Sequence, residues 1–201
     1  MKMSWTERVA TRLAKQIKTG ESPFSVGEIS HGIEIVIMYL LNALTLLLSA
    51  YLLDVLLEAS LLAGFYILHR SFTGGIHLKS VWTCMIGGVS MILLASILVK
   101  YLPDLNGGAY LLVFLLIACS FVINYRYAPA EHTYVSTKES IKRVCRKIVL
   151  GLLIFGCLSS EILVYFDYSN LAFTYAFATF LQSLHLHPLS YQLVVRLENH
   201  Y

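Results

Sequence analysis

Four long apolar runs decide what this chain can fold into. Ile33 to Leu53, Val81 to Val99, Ala109 to Tyr125 and Ile148 to Phe166 carry only two charges between them, Glu34 and Glu161. A helix crossing the hydrocarbon core of a bilayer needs about 20 largely apolar residues, with about 17 as a lower bound, and each run meets that requirement. Two further runs are shorter or weaker. Glu58 interrupts Val55 to Leu68, and Thr174, Thr179, Gln182, Ser183 and His185 soften Leu171 to Leu186. Each is expected to be a tilted span or a re-entrant segment. Pro23, Pro103, Pro129 and Pro188 all fall between the runs, where a missing amide donor costs least.

Composition agrees. Only 13% of the 201 residues are charged, against about 25% in an average soluble domain. This excludes a soluble globular enzyme, a disordered chain, a nucleic-acid binder built on a basic face and a disulfide-stapled secreted module. The expected fold is therefore all-α: a polytopic membrane helical bundle of about six segments. It is read as a single integral-membrane domain over residues 1–201, with the bundle at 33–186 and polar loops at 69–80 and 126–147.

Cytoplasmic connections retain Lys and Arg, so their distribution orients the bundle. With six segments, every one of the fifteen except Lys100 falls in residues 1–32, 69–80, 126–147 or 187–201. Both termini and both polar loops are thus expected in the cytoplasm. Demoting the two weaker runs to interfacial segments leaves both loops on that side. Asp54, Glu58 and Glu161 then lie near the outer side with Lys100, where mutual pairing is expected. Gly87-Gly88 and Gly151 are candidates for close helix contact.

No apolar core follows the first basic residues until about position 33, so the N-terminus does not read as a cleavable signal peptide. Residues 1–20 read as an amphipathic interfacial helix. Ser4 to Glu7 is a capping-box pattern, and Trp5, Val9, Leu13 and Ile17 recur every four residues, opposite Arg8, Arg12, Lys15 and Lys18. A membrane anchor is one role for such a face, and docking of a second amphipathic peptide is the other. A second box, Ser25 to Glu28, restarts the chain into the first span.

The four cysteines form no CxxC pair. Cys84 differs from the other three, because it follows the polar stretch His69 to Ser80 at the start of a span. If Ser80 caps that helix, Cys84 falls in or just beyond its first turn, where free amides and the helix dipole favour a thiolate. His77 lies seven residues earlier. One continuous helix would hold the two about 10.5 Å apart along the axis, so the helix must break if His77 is to serve as base. Gly74-Gly75 supplies that break. The competing reading is an inert thiol beside an interfacial histidine. Metal binding is not expected, since His69, His77 and Cys84 lack compact zinc spacing and His185-Leu186-His187 has no nearby partner. The chemistry calls for no cofactor.

Arg70-Ser71-Phe72-Thr73-Gly74-Gly75-Ile76-His77, followed by Cys84, resembles the signature of the accessory gene regulator protein B (AgrB) family. The likeness extends to chain length, the basic N-terminus and the polar segment Tyr127-Ala128-Pro129-Ala130-Glu131. It implies a membrane-embedded cysteine endopeptidase of Gram-positive quorum sensing, acting near the cytoplasmic face on an AgrD-like propeptide. His77 and Cys84 match the family's catalytic pair. Cys84 would form a thioester, and a propeptide cysteine or serine would then close a thiolactone or lactone ring. A homodimer is implied by the resemblance alone.

Arg70 suits a headgroup phosphate or an acidic substrate tail, or simply obeys the positive-inside rule. Gly74 and Gly75 are assigned to loop geometry. Lys138, Lys142 and Arg143, with Arg146 and Lys147, suit an acidic propeptide C-terminus, although a polybasic edge before a span is also ordinary topology. The rival functions are a small transporter or peptide exporter and a noncatalytic membrane adaptor. A conduit should show paired charges or broken polar helices near the midplane, and the spans here are mostly apolar.

Overall fold

The computed structural model describes residues 4–19, 22–76, 81–102, 108–130 and 138–199. Eight helices are found among them: α1 (Trp5–Ile17), α2 (Val26–Leu52), α3 (Leu56–Thr73), α4 (Val81–Lys100), α5 (Gly108–Tyr127), α6 (Glu139–Tyr165), α7 (Ser169–Leu184) and α8 (Pro188–Asn199). Four stretches are long and apolar enough to cross a membrane: Val26–Leu52, Trp82–Lys100, Gly108–Tyr127 and Glu139–Tyr165. They cover the four strong runs of the sequence to within one residue at an end. The chain forms two compact units, Met1–Ser49 and Ala50–Tyr201.

In the first unit, both capping boxes form. The Ser4 hydroxyl accepts from the Glu7 amide at 3.0 Å while Glu7 accepts from the Ser4 amide at 2.7 Å. Ser25 and Glu28 repeat the exchange at the start of α2. The buried face of α1 is Thr6, Ala10 and Ala14, whose small side chains permit a close approach. Thr6 donates to Glu34 at 2.8 Å, and the Thr11 and Ser30 hydroxyls meet at 3.0 Å, joining α1 to α2. Trp5, Val9, Leu13 and Ile17 stay exposed.

The second unit is organised around α7, which packs against α3, α4, α5 and α6. Half of its sixteen residues are buried: Ala172, Phe173, Thr174, Ala176, Ala178, Thr179, Gln182 and Ser183. Thr174, Thr179, Gln182 and Ser183, which make it a weak span in sequence, are thus turned inward. At about 1.5 Å per residue α7 is about 24 Å long and the eighteen-residue α3 about 27 Å, both short of an about 30 Å hydrocarbon core. The apolar core gathers Val113 and Ile117 of α5, Val149 and Leu153 of α6, and Phe173 and Ala176 of α7.

Close helix approach occurs at Gly156 rather than at Gly87-Gly88 or Gly151. A Cβ on any of those three would meet nothing within 4 Å, whereas one on Gly156 would fall 2.1 Å from the Tyr175 ring and hydroxyl. The space lets Tyr175 donate to the Leu152 carbonyl at 2.8 Å and meet His69 Nε2 at 3.1 Å. A carbonyl only accepts, so the single phenolic proton goes to Leu152 and His69 donates from Nε2. Phe65 packs edge-on against the same ring at 5.2 Å.

The polar loops are shorter than expected. α3 continues to Thr73, because His69 and Thr73 find partners inside the bundle. α6 begins at Glu139, nine residues ahead of its apolar run, since long basic side chains reach water without leaving the helix. At the opposite end Lys100 pairs with the Asp54 carboxylate at 2.7 Å, as expected. Glu161 does not join that pair. Its Oε1 is buried and accepts no hydrogen bond among the described residues.

Candidate functional site

The motif that stands out in sequence closes α3. Gly74 caps the helix at φ 67°, its amide bonded to the Arg70 carbonyl at 2.9 Å. Gly75 follows at φ 132°. Both conformations lie where a Cβ is strained, so each glycine is required by the backbone it adopts. Gly75 is also hemmed in: a Cβ there would stand 3.3 Å from Arg70 Nη1 and 3.4 Å from His185 Cβ.

Arg70 straddles this turn. One arm of its guanidinium donates to the Tyr66 hydroxyl at 3.0 Å and the other to the Ile76 carbonyl at 2.7 Å. The group also lies 5.8 Å from the centre of the Tyr66 ring. Tyr191 of α8 is near enough to feel Arg70. Burial pushes the Tyr191 phenol above its ordinary range, and the Arg70 charge opposes that shift.

The other side of the turn is held by the end of α7. Gln182 is fully buried and donates from Nε2 to the Gly74 carbonyl at 2.9 Å and to the Thr73 hydroxyl. The His185 carbonyl accepts the Ile76 amide at 3.4 Å. The His185 ring places Nδ1 2.9 Å from the Leu181 carbonyl, which puts the proton on Nδ1, with the Tyr66 hydroxyl 3.5 Å away. The Ala-Pro segment closes the remaining side. Ala130 donates to the Thr73 carbonyl at 2.8 Å, Arg146 of α6 donates to the Ala128 carbonyl at 2.7 Å, and the Ala128-Pro129 peptide is cis.

Arg70, Gly74 and Gly75 are therefore brought together. Cys84 is a free, partly exposed thiol on the fourth residue of α4. Because α3 and α4 are consecutive packed helices, α4 begins at the end of the bundle where α3 finishes. The helix is broken between the two, with α3 ending at Thr73 and α4 starting at Val81. His77 lies outside the described residues, as do Lys79, Ser80 and Glu131. Lys138 and Arg143 are exposed at the start of α6, and Lys142 pairs with Glu139 at 2.9 Å.

Tyr66, Gln182 and His185 are the residues that sequence reasoning missed. The signal was present as polar residues clustered at the end of an otherwise apolar run. In sequence Gln182 and His185 read as a weakness of the span, and Tyr66 as an ordinary aromatic of the preceding one.

A family model described as Accessory gene regulator B matches residues 6–186. The chain belongs to the Accessory gene regulator B family. The match takes in α2 to α7, the turn gripped by Arg70, Gln182 and His185, and Cys84. Comparison with curated proteins and with solved structures gives no match. Membership of the AgrB family carries involvement in processing the agr quorum-sensing propeptide, an AgrD-like peptide as partner and a membrane setting, which the four long apolar helices fit.

Proposed function

We propose that the chain is a cysteine endopeptidase and cyclase, with Cys84 as nucleophile and His77 as base. The observation that carries this reading is the placement of a partly exposed thiol in the first turns of α4, at the same end of the bundle as the Arg70 to Gly75 turn. A helix start directs unsatisfied amides toward such a position and so supports an anionic sulfur or oxyanion.

Cys84 Sγ attacks the carbonyl carbon at the C-terminal edge of the future signal. The peptide C–N bond breaks, and the proton that His77 took from the thiol leaves on the departing amine. A propeptide thiol or hydroxyl then attacks the thioester, the carbonyl–Sγ bond breaks, and Cys84 recovers its proton as the ring closes. Water competes for the same thioester and would release a linear peptide, so partial exclusion of water at the membrane surface favours cyclisation. Lys138, Lys142 and Arg143 are proposed to receive an acidic propeptide tail. The same reading sets about six segments in the cell membrane of a Gram-positive bacterium, with α3 and α7 tilted or re-entrant, both termini in the cytoplasm and the site near the cytoplasmic face, as one domain acting as a homodimer.

The test is co-expression with the propeptide in membranes and mass spectrometry of the products. Wild type should yield a fragment one water lighter than the linear form, and Cys84→Ala and His77→Ala should yield none. Cys145, also near the start of its helix, is the control: Cys145→Ser should keep activity. Cleavage that survives Cys84→Ala sinks the proposal in favour of an exporter or adaptor.

A further inference from the structure

Between Thr73 and Ile76, α7 and Arg70 hold the chain one group after another. The Thr73 hydroxyl and Gly74 carbonyl receive Gln182, the Ile76 amide goes to the His185 carbonyl, and the Ile76 carbonyl receives Arg70. The next residue in the chain is His77. The grip is therefore applied to the backbone that leads directly into the proposed base.

Gln182 is the unusual member. It is fully buried, and both of its described hydrogen bonds are given by Nε2, while its Oε1 is buried and accepts none among the described residues. An unmade bond on a buried acceptor is a standing cost, which an apolar side chain of similar volume would avoid. As a packing residue of α7, glutamine is thus a poor choice. As a donor aimed at the turn, it fixes the Gly74 carbonyl, whose orientation sets the direction in which the chain leaves α3.

We propose that Gln182 is a positioning residue for the reaction, holding the Thr73-Gly74 turn so that His77 is presented to Cys84. This rests on the reading of His77 and Cys84 given above. Small misplacements of a catalytic group reduce turnover far more than they reduce substrate affinity.

The experiment uses the full-length chain in membranes with its propeptide and compares wild type, Gln182→Met, Gln182→Glu, His77→Ala and Cys84→Ala. Methionine keeps the volume without the donors, and glutamate keeps the shape but, neutral when buried, has one donor in place of two. Activity is normalised to folded protein, and the pH profile of Cys84 alkylation by iodoacetamide is recorded in parallel in a Cys119→Ser, Cys145→Ser, Cys157→Ser background. Both Gln182 variants should lose about tenfold to a hundredfold in kcat with KM within about twofold. Their alkylation profiles should move toward that of His77→Ala. A merely structural role would reduce the amount of folded protein and leave kcat per folded molecule and the profile alone, and that result overturns the proposal. Wild-type kcat in Gln182→Met beside an inactive Cys84→Ala overturns it without touching the catalytic reading. Cleavage that persists in Cys84→Ala overturns both.

Discussion

The ring of Tyr175 fills the place that a side chain at Gly156 would occupy, 2.1 Å from the ideal Cβ position. Alanine in a helix is ordinarily better than glycine by about 1 kcal/mol, so in open space Gly156→Ala would stabilise α6. Here the clash decides the sign. Tyr175 cannot swing aside without breaking its bonds to Leu152 and His69. Overpacking of this kind costs about 1–3 kcal/mol. Gly156→Ala is therefore expected to lower the thermal midpoint in detergent, while Gly151→Ala, with nothing within 4 Å, should not. Equal midpoints for the two variants would refute the assignment.

Tyr175→Phe keeps the ring and removes the hydroxyl. Leu152 loses an accepted bond, and His69, 1% exposed, is left with a buried donor. Stranding a buried donor costs about 1–3 kcal/mol. Replacing both residues by phenylalanine removes the stranded group, so the double variant should be more stable than the sum of the two single losses. Additive losses in the cycle would mean that His69 and Tyr175 do not depend on each other.

How much of this was readable beforehand differs residue by residue. The four strong spans were legible because an uninterrupted apolar run has few other outcomes. Arg70, Gly74 and Gly75 were legible as a turn, because two glycines after a helical run ask for backbone angles that other residues resist. The role of α7 was not. Thr174, Thr179, Gln182 and Ser183 lower the hydropathy of the segment, and only the packing shows that they face inward. The Gln182 to Gly74 bond joins residues 108 apart in sequence, a pairing that no local pattern announces. Gly156 was likewise passed over in favour of Gly87-Gly88 and Gly151, since nothing in spacing tells which glycine a tyrosine will cross.

At the other end of the bundle, the hydrogen bond from Lys100 and its charge hold the Asp54 carboxyl below its ordinary range. A depressed folded-state value means that the pair contributes above the unfolded pKa and loses its contribution as pH falls through the folded one. Between pH 5 and 8 the contribution is constant. Wild type and Asp54→Asn should therefore keep a constant small gap in thermal midpoint across that range, and the gap should close in acid, below about pH 3.9. Because the pair is solvent-exposed, added salt should also shrink it. A gap that widens on acidification would contradict the assignment.

Gly74 and Gly75 predict different sensitivities to the same substitution. A Cβ on Gly74 would sit at ordinary contact distance, 3.7 Å from the Ala130 carbonyl oxygen, so alanine there meets backbone strain alone. On Gly75 the strain of φ 132° is joined by contact at 3.3–3.4 Å with Arg70 and His185, both engaged in hydrogen bonds that fix Ile76. Alanine at 75 must either push the Arg70 guanidinium off the Ile76 carbonyl or move the His185 backbone away from the Ile76 amide. Each movement loosens the residue that precedes His77. On the proposed chemistry, propeptide cleavage per folded molecule should thus fall about tenfold more in Gly75→Ala than in Gly74→Ala, by analogy with small displacements at catalytic groups. Arg70→Lys should resemble Gly75→Ala, because an ammonium cannot reproduce the fork that spans Tyr66 and Ile76. If Gly74→Ala proves the more damaging glycine change, the Arg70 to Ile76 bridge is not what the activity requires.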